Sequence, residues 1–181
     1  KEAEAAEIKW DRTADVVVVG AGVSGLACAC AASDTGASVI MIEENFDIGG
    51  RGIMSGGSIQ LGGGHSLQKK YGTVDSADMI FADWTRHDHH ASRYSDRDIV
   101  RKFADENAAT FEFLLAHGVQ FTGREEGGSG ASTNAGRTYQ TVEWHIPSQL
   151  VAPHRGRNGS GLVRRLEESA RKAGVQILLK H

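Results

Sequence analysis

The sequence has only two cysteines, Cys28 and Cys30, too few for a disulfide framework. It also lacks any excess of basic charge. Twenty Lys and Arg stand against 23 Asp and Glu, a net charge of −3, which argues against nucleic acid as the main partner. No apolar run approaches the roughly 20 residues a membrane helix needs, so no span is expected. Before Val16 there is no apolar segment of the kind a secretory signal carries. The chain opens on Lys1, which reads as a processed or trimmed start, so a soluble protein is expected, cytoplasmic or exported with its signal removed. Proline is scarce too, two residues against 23 glycines, many of them between positions 49 and 64. What remains is ordinary for a folded domain. Apolar residues make up 40% and charged residues 24% of 181, enough for one domain or part of a larger one.

The order of patterns along the chain is that of an α/β protein. Asp15 to Val19 is a β-branched run of the type buried on both faces of a parallel sheet. A glycine turn follows, then a small-residue helix stopped at Gly36, then a second apolar run ending at Glu43. Strand, turn, helix and strand fit the roughly 30 residues of one βαβ unit. Residues 49–64 mix glycine with Ile53, Met54, Ile59 and Leu61, which predicts a backbone pressed closely against something and not a solvated linker. Ser76 to Trp84 suits an amphipathic helix. Ser95 is the expected N-cap of another, with Ile99, Phe103, Phe111 and Leu114 on its buried face and Gly118 as its stop. Short strands are expected at 119–121 and 142–146, around a loose loop at 123–136. Ser160 begins a last helix with Leu162, Val163, Leu166 and Ala170 inward, Gly174 ends it, and residues 175–179 form a final strand.

The chemistry concentrates in Gly20, Ala21, Gly22, Val23, Ser24 and Gly25. A G-x-G-x-x-G alone is weak in a glycine-rich chain. Here a strand precedes it, a helix follows, and an acidic residue ends the next strand. Gly20 permits the tight turn, Gly22 lets a pyrophosphate approach, and Gly25 lets helix and sheet pack closely. The helix start offers free N–H groups and the positive dipole end to phosphates. Glu43 lies 18 residues beyond Gly25, where its carboxylate can accept from ribose hydroxyls and would repel a 2′-phosphate.

An NAD domain usually continues with another strand–helix repeat. This chain instead runs through Glu43 and Glu44 to Gly49, Gly50 and Arg51, then Ser55, Gly56, Gly57 and Ser58. That pattern resembles the flavoprotein superfamily of fumarate reductases, succinate dehydrogenase flavoprotein subunits and 3-ketosteroid Δ1-dehydrogenases, and its spacing is most similar to the ketosteroid branch. A second similar stretch runs from Pro153, His154 and Arg155 through Gly159 and Gly161 to the last helix and strand. The resemblance implies a Rossmann-like FAD-binding domain with a parallel sheet and a helical insertion. Residues 1–64 would carry the βαβ and glycine-rich part, 65–155 the insertion, and 156–181 the helix and third strand. It also implies that Gly49 and Gly50 wrap the FAD pyrophosphate while Ser55 to Gly57 lie against the flavin. Members bound covalently carry a histidine just upstream of the second glycine pair. Residues 51–55 have none, so noncovalent FAD is expected. Members also continue into a cap domain and a C-terminal segment, so this chain reads as the N-terminal part of a longer flavoenzyme. The remaining C-terminal polypeptide is then its expected partner, beside a small-molecule substrate.

The implied activity is an oxidoreductase adding or removing hydrogen across a C–C bond next to a carbonyl or carboxylate. A flavin oxidase or hydroxylase, and a noncatalytic flavin-binding module that needs a partner chain, remain open alternatives. Candidate catalytic groups are His65, weighed against a surface turn, and Tyr139 with His145 in the region where the ketosteroid branch has a substrate-facing tyrosine. His87, Asp88, His89 and His90 suit a solvated surface better than a metal site, and none is expected. The two cysteines, two apart on a helix, point to different faces and read as small core residues.

Overall fold

The computed structural model describes residues 9–86, 94–124, 135–142, 144 and 159–181. The first half begins with strand β1 (Val16–Val19), helix α1 (Val23–Asp34) and strand β2 (Val39–Glu43), followed by the short helix α2 (Gly50–Ile53). Strand β3 (Ser58–Gln60) leads to helices α3 (Ser66–Lys70), α4 (Ala77–Trp84) and α5 (Arg97–Ala116). Strands β4 (Phe121–Arg124) and β5 (Thr138–Thr141), helix α6 (Ser160–Lys172) and strand β6 (Gln176–Leu179) complete the order. The expected parallel sheet is present in the order β1-β2-β6, with Val16 beside Val39 and Ile40 beside Gln176. α1 and α6 pack together, burying Leu26, Ala29 and Cys30 with Val163, Leu166 and Ala170.

The remaining strands make a second, antiparallel sheet in the order β3-β5-β4, which the sequence patterns did not predict. Its central strand reads Thr-Tyr-Gln-Thr, yet Thr138, Tyr139 and Thr141 are all buried. A strand at Thr138–Thr141 precedes the expected one at 142–146, and the one expected at 119–121 runs instead at Phe121–Arg124. Residues 143 and 145–146 lie outside the described residues, as does most of the predicted loop.

Four further expectations are corrected. β1 is buried on one face only, with Val17 58% and Val19 79% exposed, because no described element covers the other side of the sheet there. The N-cap of α5 is Asp96, not Ser95, because its carboxylate accepts from the N–H groups of Asp98 and Ile99 at 2.9 and 3.1 Å. That helix buries Val100, Ala104, Asn107, Phe111 and Leu114, while Ile99 is 68% exposed. Cys30 is buried as expected, but Cys28 is exposed, since positions two apart fall on different faces.

Candidate functional site

At the end of β1 the chain turns through Gly20, whose φ of 92° lies in the left-handed region. Its N–H still reaches the Ile42 carbonyl at 2.7 Å, so the turn stays fastened to β2. A Cβ at Gly25 would stand 1.9 Å from the Gly20 carbonyl oxygen, so α1 can begin this close to the strand only with glycine there. Gly22 is the N-cap of α1, and no side chain caps the helix. The first N–H groups of any helix lack intrahelical partners, and a Cβ on Gly22 would meet nothing within 4 Å. The helix therefore starts on open space, with donors and the positive end of its dipole facing it.

Glu43, at the end of β2, is buried and joined to this turn. Its Oε2 accepts from the Ala21 N–H at 2.7 Å, and its Oε1 from the backbone and side chain of Asn45 at 3.0 and 3.2 Å. Those bonds, led by the N–H groups of Asn45 and Ala21, hold its carboxyl below the usual range, so it is ionised at neutral pH. Val19, Gly20, Ile42, Glu43, Glu44 and His181 line a cavity of about 400 Å³ at the carboxyl ends of the parallel strands. That is where α/β sheets of this kind bind ligands.

The second glycine pair comes to the same place. The Gly49 N–H donates to the Ala21 carbonyl at 2.8 Å, Gly49 bridges Gly22 in parallel fashion, and a Cβ on Gly50 would lie 3.6 Å from Gly22 Cα. Arg51, on α2, is exposed. Ser55 is exposed and takes the Gly159 N–H on its carbonyl at 2.8 Å, while Gly57 accepts from the Thr141 N–H at 3.0 Å. The segment Ser55 to Ser58 is thus held between the start of α6 and strand β5. Gly20–Gly25, Glu43, Gly49 and Gly50 form one continuous cradle.

The family model for the FAD binding domain matches residues 15–181. The chain belongs to that family. Among curated relatives, the vinyl phenol reductase of Lactiplantibacillus plantarum is 30% identical over 91% of this chain and 29% of its own length. The NADH:fumarate oxidoreductase of Klebsiella pneumoniae is 27% identical over 91% of this chain and 16% of its own. The 3-ketosteroid-Δ4-(5α)-dehydrogenase of Rhodococcus jostii superposes with a TM-score of 0.73 at 25% identity, covering 95% of this chain and 38% of that one. A flavocytochrome c3 fumarate reductase shares the fold with a TM-score of 0.72 at 22% identity, covering 94% and 27%. The chain thus spans less than a third of the curated relatives named here. Its cofactor is FAD. The uncapped start of α1, the space at Gly22 and the ionised Glu43 fit a dinucleotide's pyrophosphate and ribose.

Of the catalytic candidates, His65 and Tyr139 fall within the described residues. His65 is buried, stacked on Phe111 with ring centroids 3.7 Å apart and 5.0 Å from the Tyr139 ring. Its Nδ1 accepts from the Gln68 N–H at 3.4 Å, which caps α3 and leaves the proton on Nε2 to donate to the Leu61 carbonyl at 3.2 Å. Burial holds the imidazole below its usual range, so the ring is neutral. It is neither a surface turn nor an open polar group. Tyr139 is wholly buried and donates to the Gly136 carbonyl at 3.0 Å. His145 and the histidines at 87, 89 and 90 lie outside the described residues.

The triple glycine before His65 is anchored through its backbone by three side chains. Asn107 accepts from the Gly62 N–H at 2.6 Å, Asp75 from Gly63 at 3.0 Å and Gln68 from Gly64 at 2.8 Å. Arg137 grips both oxygens of Asp75 at 2.7 and 2.6 Å and reaches Asp83 at 2.5 Å. This ionic group was not anticipated, since its members are far apart in sequence and charged residues ordinarily read as surface.

Proposed function

We propose that the chain is the dinucleotide-binding part of an oxidoreductase that adds or removes hydrogen across a C–C bond next to a carbonyl or carboxylate, with FAD held noncovalently. The observation that carries the reading is the convergence of Gly22, Gly49 and Glu43 on one cradle. Relatives named for fumarate, acrylate and urocanate support the reaction class, because each of those compounds is an alkene conjugated to a carboxylate. FAD supplies hydride chemistry at its flavin ring. The start of α1 and the Gly49–Gly50 step would hold the pyrophosphate, and Glu43, with Glu44 beside it, would receive the ribose hydroxyls. Ser55, Gly56, Gly57 and Ser58 would form one wall of the flavin site.

Neither His65 nor Tyr139 is assigned as the proton donor or acceptor, since both are buried with their polar atoms bonded, and His145 lies outside the described residues. The remaining C-terminal polypeptide is the proposed partner. The exposed Val17 and Val19 support it, as a β-branched sheet face of this kind ordinarily packs under another layer.

Two measurements test the reading. A visible spectrum before and after acid precipitation should show flavin released to the supernatant. Yellow colour kept in the pellet overturns the noncovalent assignment. The reduced full-length holoprotein should pass electrons to an alkene conjugated to a carbonyl or carboxylate, and only slowly to air. Fast reoxidation by air without alkene turnover places it among oxidases and refutes the reaction class.

A further inference from the structure

Two consecutive residues of helix α6 hold the loop that carries Gly49 and Gly50. Val163 packs under the glycine loop, where its methyls would lie 3.2 Å from a Cβ on Gly49 and 3.1 Å from one on Gly52. Arg164 then reaches out to Asp47, two residues before Gly49. Its two terminal nitrogens take the two carboxylate oxygens separately, NH1 to Oδ1 at 3.0 Å and NH2 to Oδ2. NH1 also donates to Glu167 at 2.8 Å, which holds the guanidinium to its own helix. Asp47 Oδ1 accepts from the Ile48 N–H at 2.8 Å, and Ile48 is buried in the core. The loop that carries Gly49 to Gly22 is therefore pinned just ahead of the glycine pair. A bidentate arginine–carboxylate pair fixes orientation as well as distance.

We propose that Arg164 is a positioning residue for the dinucleotide, fixing Asp47 and through it the alignment of Gly49 and Gly50 with Gly22. The proposal rests on the FAD-binding reading above. Arg164 touches no part of the cradle's open space itself; it acts through a loop. Both partners are partly exposed, at 22% and 40% of their side chains, so the pair adds little to folding. Its effect falls on where the loop sits. Arg165, the next residue, supplies an internal control, because it bonds Glu168 on the same helix at 3.0 Å.

The experiment is a titration of FAD into the deflavinated full-length protein, followed by quenching of flavin fluorescence. Arg164→Met and Asp47→Asn should each weaken FAD binding about fivefold. The double variant should be no worse than either single one, and Arg165→Met should bind as the wild type does. The melting temperature of the apoprotein should stay within about 2 °C of wild type for Arg164→Met, as expected for a partly exposed pair. Unchanged affinity in Arg164→Met, strictly additive losses, or an equal loss in Arg165→Met overturns the proposal. A wild type that binds no FAD overturns the functional reading instead, and the same titration separates the two failures.

Discussion

Arg137 offers the sharpest test of how the triple glycine before His65 is anchored. Its side chain is 4% exposed, and Asp75, which it grips with two nitrogens, is 0% exposed. Replacing it with methionine keeps most of the volume but strands the buried Asp75 carboxylate without its guanidinium. Removing one partner of such a buried pair costs about 3–5 kcal/mol, on the order of 10 °C in melting temperature for a chain of this size. The pH dependence carries the mechanism. In the wild type, burial pushes the Asp75 carboxyl up, but bonds from Arg137, Gln68 and Gly63 outweigh it and leave the group below its usual range. Its contribution is then present above the ordinary carboxylate value and lost as pH falls through the lower folded one. Without the guanidinium, burial prevails and the carboxyl rises. The damage in Arg137→Met should therefore be largest at pH 7 and shrink at pH 5, as protonation removes the stranded charge. Adding Asp75→Asn should recover part of the loss. Denaturation followed by circular dichroism at both pH values measures all of this. A loss under about 1 kcal/mol, a loss equal at both pH values, or a double variant no more stable than Arg137→Met would refute the reasoning.

Three other outcomes are expected. Gly25→Ala drives a methyl to within 1.9 Å of the Gly20 carbonyl and should cost at least about 1–3 kcal/mol in thermal denaturation; the protein should also purify with little flavin. Glu43→Gln should weaken FAD binding by about 10–100-fold, the range for hydrogen bonds to a charged group. Because the Asn45 and Ala21 N–H groups hold this carboxyl low, wild-type affinity should stay flat from pH 8 to 5 and drop only as pH falls below the ordinary glutamate value of about 4.3; a fall already complete at pH 6 would contradict that assignment. With an aromatic disulfide reagent at pH 8, Cys28 should react at once. Cys30 should lag, since burial pushes its thiol up to about 11.

The parts of this fold legible in the sequence are those whose cause is local. A left-handed Gly20, a helix packed at Gly25 and an acid at the end of the next strand are consequences of chain geometry, and they leave a fixed spacing behind. The face of α5 misled for the opposite reason. Ile99 and Phe103 have core-like side chains, but which side of a helix is covered depends on what lies beside it, and Ala104 and Asn107 are inside. β5 escaped notice because Thr-Tyr-Gln-Thr carries no apolar run, and its burial depends on distant partners; Thr141, for example, donates to the Gly57 carbonyl through both its N–H and its hydroxyl. His65 drew attention for its place after three glycines. Its role as a cap stacked on Phe111 depends on a residue 46 positions away, which no local pattern reveals.

The bare start of α1 has a thermodynamic consequence. A helix that supplies no cap of its own borrows one, so its first turn is incomplete until an anion arrives. Folding and cofactor binding then become linked equilibria, and stability becomes a function of FAD supply. A free concentration one hundred times the dissociation constant adds about 2.7 kcal/mol to the folded state, a sizeable share of what holds a domain together. Scarcity of flavin would be felt first at Gly22 to Gly25, as faster amide exchange in the opening turn of that helix.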